Sequence, residues 1–367
     1  MIYNNSQKKA VMHTTGPMMV LAGPGSGKTA VITGRTCQLV TSGISASRIL
    51  VVTFTRAAAK EMKERYLKAM GKTSTQVTFG TFHGVFYAIL RHTYRMSGNN
   101  ILSEEEKKRL MRELVNHYAR DLEEEDLEEN LAREISTVKN NQIPLEHYYS
   151  ACMPQEKFRE IYEAYEKWRK ENKKLDFDDL MVQCKRLFLE RPEVLRAWQQ
   201  KFQYILIDEF QDISPVQYEI VRMLALPENN LFIVGDDDQS IYQFRGAKPE
   251  IMLNFPKDYP GAAQVVLDKN YRSTEFIVKR SQCLIHHNKK RYEKAISTDN
   301  EKGAPIAIRG YKNPREEMRA VAEELREAEK NGCPYEEMAL LFRTNLGCRT
   351  AVEEPVSYTH LRAHETL

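Results

Sequence analysis

The chain has 367 residues, of which 42% are hydrophobic and 29% charged, and a formal net charge of +3. This composition suits a globular protein of two or three domains and leaves no apolar run long enough to cross a membrane. None of the six cysteines forms a C-x-x-C pair and the first residues lack a signal-peptide layout, so we expect a reduced, cytoplasmic protein without a zinc or disulfide framework.

The first segment, residues 4–11, is typical of a helix start with a polar N-cap. Within it, the side-chain amide of Gln7 could read the donor and acceptor edge of adenine. The alternative interpretation is an ordinary solvated helix residue.

A glycine-rich loop follows an apolar run and precedes a helix-forming sequence, which is the context of a phosphate-binding P-loop. Its glycines would let backbone N–H groups converge on phosphate oxygens at the positive end of the helix. Lys28 would reach the β- and γ-phosphates, and the Thr29 hydroxyl would hold Mg²⁺. A turn without a ligand is the alternative. The predicted nucleotide-binding residues here are Ala22, Gly23, Pro24, Gly25, Ser26, Gly27, Lys28, Thr29 and Ala30.

Two predicted strands, residues 49–54 and 76–79, alternate with helices at 55–66 and up to about residue 95, as in a parallel sheet. Polar and aromatic side chains stand at or just after the ends of these strands. Such residues either pack in the protein or bind phosphates and stack on bases. They are Thr53, Phe54, Thr81, Phe82 and His83.

Between residues 99 and about 200 the strand-like runs give way to charged helical sequence, which predicts an all-helical insertion. The predicted helices are 103–116, 122–139, 155–173 and 176–189. The acidic run 121–129 is best read as a solvated helix face. Asp176 is predicted to cap the last helix, with Asp178 and Asp179 in its first turn rather than in a metal site.

The sheet is predicted to resume at residues 204–207, which lead directly into Asp208 and Glu209. Downstream of a P-loop, the first of two such acids would hold Mg²⁺ and the second would polarise the attacking water. A surface turn is the weaker alternative.

The next predicted strand, 231–234, is followed by Gln239, which is placed to sense the γ-phosphate. Tyr242, Phe244 and Arg245 then interleave aromatic rings with a cation, as in a platform for single-stranded nucleic acid. The same aromatic residues could instead be the core of a short turn.

A further strand at 265–267 precedes Tyr271 and Arg272 and a helix to about residue 287. Predicted strands at 304–309 and 338–342 flank a predicted helix at 314–330. This renewed β-α-β rhythm predicts the start of a second α/β domain.

The ordered motifs AGPGSGKT, VVTFTRAAAKEMKER, TFGTFH, LDFDDL, ILIDEFQDISPVQY, VGDDDQSIYQFRGA and NYRST resemble those of a superfamily 1 DNA helicase of the UvrD/Rep/PcrA family. The resemblance runs from the N-terminus to about residue 354. It implies an α/β fold in which a RecA-like P-loop NTPase domain with a parallel sheet carries an all-helical insertion and precedes a second RecA-like domain. The implied domains are 1–95 with 200–275 (domain 1A), 96–199 (1B) and 276–354 (the beginning of 2A), followed by a non-family tail at 355–367.

The resemblance also implies roles. Gln7 reads the adenine, Tyr271 stacks on it and Arg272 is an arginine finger on the γ-phosphate. Asp208 and Glu209 are the Mg²⁺ carboxylate and the catalytic base, and Gln239 couples the γ-phosphate to DNA. The single-stranded DNA track is implied to include Thr53, Phe54, Thr81, Phe82, His83, Tyr242, Phe244 and Arg245.

The implied activity is an ATP- and Mg²⁺-dependent helicase that moves 3′ to 5′ on single-stranded DNA and separates duplex DNA. Because the later family motifs are absent from the sequence and 355–367 resembles translated adapter sequence, we expect a truncated chain that hydrolyses ATP weakly. If the chain natively ended here, a non-motor ATP- and DNA-binding module would be the alternative. Neither protein partners nor an oligomeric state can be predicted.

Overall fold

The fold was analysed in a computed structural model that describes residues 2–122, 126–243 and 246–342. The chain divides into two compact units, residues 1–303 and 304–367. Among the described residues, no helix is both long and apolar enough to cross a membrane.

The first unit is built on a six-stranded sheet in the order β3-β2-β4-β5-β1-β6, with every pair of neighbours parallel. Four of the strands are fully buried, as their continuous apolar sequence predicts for a sheet covered on both faces. The strands are β1 (Met18–Ala22), β2 (Ile49–Thr53), β3 (Thr78–Thr81), β4 (Tyr204–Ile207), β5 (Leu231–Gly235) and β6 (Ala263–Leu267).

Helices cover both faces of the sheet and extend the unit beyond it. The helices of this unit are α1 (Asn5–Met12), α2 (Lys28–Thr41), α3 (Arg56–Met70), α4 (Phe82–Tyr94), α5 (Glu104–Tyr118), α6 (Leu127–Asn141), α7 (Gln155–Glu171), α8 (Phe177–Glu190), α9 (Pro192–Lys201), α10 (Pro215–Ala225), α11 (Pro249–Asp258) and α12 (Glu275–Ile285). The α/β class with a parallel sheet is confirmed.

The helical region between α4 and β4 does not pack as one body. Helices α5, α6 and α7 enclose a core of their own, which includes Leu131, Ile135, Phe158 and Ile161. Helix α8 instead buries Leu187 and its neighbours in the core that it shares with α4 and α10. The domain limits 96–199 remain a prediction.

A buried ionic cluster joins α6, α7 and α8. Lys139 Nζ lies 2.7 Å from Asp176 Oδ2, 3.0 Å from Asp179 Oδ1 and 2.7 Å from Glu166 Oε1. Arg169 adds contacts of 2.6 Å to Glu166 Oε2 and 3.0 Å to Asp179 Oδ2. Asp176 is the N-cap of α8, as predicted, and its backbone N–H and side chain form a capping box with Asp179.

The sequence did not reveal that Asp176 and Asp179 neutralise two buried cations. These cations are Lys139 of α6 and Arg169 of α7. Asp178, also in the first turn of α8, accepts hydrogen bonds from Ser136 Oγ at 2.5 Å and Asn140 Nδ2 at 2.8 Å. The partners lie about 40 residues away in the chain, so only the packing of the helices brings them together.

The second unit contains one α-helix among its described residues, α13 (Pro314–Lys330), which begins at the Asn313 cap. The predicted strands at 304–309 and 338–342 are wrong: both segments lack strand structure, and Ile308 and Leu341 are each 95% exposed. Their apolar residues suggested strands, but a strand also needs a neighbour to pair with, and none is present in the described part of this unit. The tail at 355–367 lies outside the described residues.

We expect Lys139→Met to lower the free energy of unfolding by about 3–5 kcal/mol, because it leaves buried carboxylates without their central cation. Urea denaturation followed by circular dichroism measures this. Lys157→Met is the control: Lys157 pairs with Asp121, whose side chain is 71% exposed, so its loss should barely change the midpoint. Equal effects of the two substitutions would show that the buried cluster contributes no more than a surface pair.

Candidate functional site: a nucleotide cleft at the carboxyl edge of the sheet

The P-loop connects β1 to α2 at the carboxyl edge of the sheet. Gly25 and Gly27 have φ angles of +63° and +86°, a region that favours glycine. A Cβ on Gly27 would also lie 2.9 Å from Gln7 Nε2. Both glycines are therefore required by the backbone path, which supports the predicted loop.

Helix α2 begins at Lys28 with no side chain of the described residues capping its first turn. Its first N–H groups have no partner within the helix, and they carry the positive end of its dipole. The loop and helix together form the kind of backbone cradle that receives phosphate. Thr29 and Ala30 lie in this first turn.

Lys28 reaches across this cradle to the end of β4, where its Nζ lies 2.5 Å from Glu209 Oε2. Glu209 has a φ of +51°, a left-handed conformation that is uncommon outside glycine and is often found at functional sites. The two predicted catalytic residues, 181 positions apart in the chain, are thus in direct contact.

Asp208 is 4% exposed, and its Oδ1 atom has no hydrogen-bond partner among the described residues. Burial, reinforced by the charge of Glu209, raises the pKa of Asp208 to about 7, although Lys28 acts in the opposite direction. A buried carboxylate oxygen without a partner is suited to a cation, and carboxylate and hydroxyl oxygens are the ligands Mg²⁺ accepts. The residues present therefore fit a magnesium ion.

Helix α1 borders the P-loop, and Gln7 lies on it. Gln7 is 6% exposed and donates from Nε2 to Ser26 O at 3.0 Å, while its Oε1 accepts from Asn4 N at 3.1 Å. It is not a solvated helix residue, since it supports the P-loop directly. Its amide retains a second N–H and a second lone pair with which it could still meet a base.

Opposite Gln7, the segment after β6 lies against the P-loop. Asn270 Nδ2 donates to Pro24 O at 2.7 Å and Tyr271 N donates to Gly25 O at 3.0 Å. Tyr271 is 48% exposed, and its hydroxyl accepts from Asn4 Nδ2 at 2.8 Å. An exposed aromatic ring therefore stands beside the phosphate cradle. Arg272 is exposed. It lies so close to the P-loop that a Cβ on Gly25 would come within 2.8 Å of the Arg272 Cβ.

Gln239 follows the end of β5 and donates from Nε2 to Asp236 Oδ2 at 2.6 Å. Asp236 is connected to Glu209 through Gln211, whose Oε1 accepts from Asp236 N at 2.9 Å and whose Nε2 donates to Glu209 Oε2 at 3.0 Å. The predicted γ-phosphate sensor and the predicted base thus belong to one hydrogen-bond network.

The residues predicted to contact DNA are divided by burial. Thr53 and Thr81 are paired at the carboxyl ends of β2 and β3. Phe82 is only 1% exposed and Thr53 only 2%. Phe82 packs in the core, with its ring 5.2 Å from that of Phe54, so a base cannot stack on it. The burial of these two side chains favours the packing interpretation, and their contact with DNA stays a prediction.

Four of the remaining residues predicted to contact DNA are described by the structure, and two are not. Phe54, Thr81, His83 and Tyr242 are partly exposed, and the His83 ring stands edge-on to Phe177 at 5.6 Å. Phe244 and Arg245 lie outside the described residues. The DNA track therefore stays a prediction.

The sequence interpretation missed several residues that hold the cleft together, namely Asn4, Gln211, Asp236, Asn270 and Lys294. Asp236 directly follows β5, and Asn4, Gln211 and Asn270 lie within three residues of a predicted site residue. Lys294 has no such neighbour in the sequence. These residues become meaningful through partners that are distant in sequence.

Two family models match the chain. Residues 3–260 match the UvrD/REP helicase N-terminal domain and residues 265–353 match the UvrD-like helicase C-terminal domain.

Similar curated proteins are named as helicases. The chain is 41% identical over 358 residues to a putative ATP-dependent DNA helicase, YjcD, of Bacillus subtilis, covering 95% of the chain and 47% of the relative. It is 37% identical over 362 residues to the ATP-dependent DNA helicase PcrA of Leuconostoc citreum, covering 96% and 48%. PcrA of Staphylococcus aureus is 36% identical over 361 residues, covering 95% and 49%.

The chain therefore spans about half the length of the curated relatives that it matches. The N-terminal family model alone covers residues 3–260, well over half of the chain. The chain belongs to the UvrD/REP helicase family.

Proposed function

We propose that this chain carries the ATP-hydrolysing cleft of an ATP-dependent DNA helicase, which moves 3′ to 5′ on single-stranded DNA and separates the duplex ahead of it. The observation that carries the proposal is the 2.5 Å contact between Lys28 of the P-loop and Glu209 at the end of β4. Direction of movement and a cytoplasmic setting rest on the family resemblance, and the names of the relatives support ATP and DNA as ligands.

In this proposal each side chain of the cleft has one task. The triphosphate lies on the backbone of residues 22–30 and competes with Glu209 for Lys28 Nζ. Glu209, released from Lys28, accepts a proton from the attacking water. Gln239 senses the γ-phosphate through its place in the hydrogen-bond network, and Arg272 stabilises the charge that develops on it.

A magnesium ion would be held by Asp208 and Thr29. When bound, it neutralises charge on the β- and γ-phosphate oxygens. The unpartnered, buried Oδ1 of Asp208 supports this assignment. Burial and the charge of Glu209 disfavour the ionised form of Asp208 and so raise its pKa, and a bound cation would act in the opposite direction.

Adenine lies between Gln7 and Tyr271 in this proposal. The ring of Tyr271 offers an exposed face, and Asn4 holds its hydroxyl in place. The DNA strand passes the carboxyl ends of β2 and β3, where Phe54, Thr81 and His83 are partly exposed. The tyrosine at 242 continues that track towards the nucleotide-sensing loop.

Lys28→Ala should reduce ATP hydrolysis at least about 100-fold, because a positioned cation on the transferred phosphate is lost. Single-stranded DNA binding should survive, since Lys28 lies in the nucleotide cleft. Phosphate release with and without an oligonucleotide, together with fluorescence anisotropy of that oligonucleotide, measures both. Lys279→Ala is the control, because Lys279 is 67% exposed on α12 and pairs with Glu275 of the same helix.

Hydrolysis that is equal with and without single-stranded DNA would count against a DNA motor. Binding of ATP and DNA without any hydrolysis would favour the non-motor module instead.

Tyr271→Ala should weaken binding of a fluorescent ATP analogue by about 1–3 kcal/mol, the usual contribution of one base stacked on an aromatic side chain. Tyr271→Phe keeps the ring and loses only the hydroxyl that accepts from Asn4, so most of the affinity should remain. Titration of both variants with the analogue compares them. If Phe and Ala weaken binding equally, the ring does not stack on the base.

A further inference from the structure

Residues 291–297, which follow α12, fold back onto the end of β5. Lys294 Nζ lies 2.6 Å from Asp236 Oδ1 and 2.9 Å from Asp238 Oδ2, and it also contacts Asp237. The side chains of Lys294 and Asp236 are 1% and 0% exposed. A buried charge of this kind is stable only when it is paired, so each of the two groups depends on the other.

The three consecutive acids could hold a cation by their geometry alone. Here Lys294 and Arg291 already neutralise them. Arg291 forms a bidentate contact with Asp238, at 2.8 Å from both Nε and Nη2. The acids are therefore anchors for the 291–297 segment. The roles proposed for the cleft residues do not involve Lys294 or Arg291.

From Asp236 the contacts lead into the hydrolysis site by two routes. Asp236 Oδ2 accepts from Gln239 Nε2 at 2.6 Å. The backbone N–H of Asp236 donates to Gln211 Oε1 at 2.9 Å, and Gln211 Nε2 then donates to Glu209 Oε2 at 3.0 Å. A backbone N–H can only donate, so it fixes which end of the Gln211 amide faces Glu209.

Gly235 allows this close approach. A Cβ at that position would lie 2.7 Å from Gln211 Oε1 and 3.0 Å from Met252 Sδ. Any larger residue would force Gln211 away from Asp236 and therefore change the direction of the amide that holds Glu209. The narrow space shows that the position of Gln211 is tightly determined by its surroundings.

We propose that Lys294 is a positioning residue for ATP hydrolysis: by fixing Asp236 it orients Gln239 directly and Glu209 through Gln211. This inference rests on the proposed function of the cleft. The same lysine lies two residues before Ile296, whose side chain fills the space that a Cβ on Gly23 would occupy. The 291–297 segment thus contacts the P-loop and the end of β5 at once.

Lys294→Met tests the proposal in the full 367-residue chain. We expect kcat for ATP hydrolysis to fall about 10- to 100-fold, because a misplaced base or sensor costs that much. The KM for ATP should change less than about threefold, since the P-loop and Tyr271 are retained. Amide hydrogen exchange of the peptide that contains Asp236 should become at least about tenfold faster, because Asp236 without Lys294 no longer keeps its N–H on Gln211 Oε1.

Arg291→Met is the matched control. It removes a cation that contacts Asp238, whereas the contacts to Gln239 and Gln211 start from Asp236. It should lower thermal stability and leave kcat and exchange within about threefold of the parent chain. If Arg291→Met and Lys294→Met have the same effect on kcat, Lys294 acts through stability alone and the proposal is overturned.

Gln211→Leu keeps the test decisive if Lys294→Met does not fold, because it cuts the route to Glu209 and leaves the ion pairs intact. We expect it to lower kcat with little change in KM; an unchanged kcat would contradict the proposal.

Glu209→Gln distinguishes a failure of the proposed function from a failure of the role proposed for Lys294. If Glu209→Gln retains full hydrolysis, the proposed function fails, whereas loss in Glu209→Gln with none in Lys294→Met rejects only the role of Lys294. If the parent chain hydrolyses no ATP, both the proposed function and the role of Lys294 are rejected.

Discussion

The cleft depends on one contact, the ion pair between Lys28 and Glu209 at 2.5 Å. Lys28 follows β1 and Glu209 follows β4, and in the sheet these strands are separated by β5. The side chains can meet only because all three strands are parallel and end at the same edge. Asp236, at the end of the intervening β5, is then placed to join the network through Gln211.

Buried ion pairs connect distant segments of the first unit. Asp236 and Lys294 neutralise each other beside the sheet, and Lys139 binds three acids between helices. Each group is costly when buried alone, so each holds two distant segments of the chain together. Asp208 is different, because one of its buried oxygens has no partner among the described residues. That contrast is what suggests a cation at Asp208 and structural roles for the other charges.

The helical region contacts the rest of the unit through buried charges as well as through apolar packing. Helices α5 to α7 form a separate core, whereas α8 packs with the helices of the sheet. The Lys139 cluster crosses the boundary between the two cores, since Asp176 and Asp179 belong to α8 and Lys139 to α6. The helical region is thereby coupled to the part of the molecule that carries the nucleotide cleft.

The sequence by itself determined the parallel α/β class, the P-loop, the acid pair after β4 and the family, because these depend on local pattern and on motifs in order. It also predicted the Asp176 cap, which involves neighbours only three residues apart. It could not decide that Phe82 is buried, that Gln7 supports the P-loop, or that residues 304–309 and 338–342 do not form strands. Those outcomes, like the contacts of Lys294 and Gln211, depend on partners that only the tertiary structure brings within reach, because burial and pairing are properties of the packed chain.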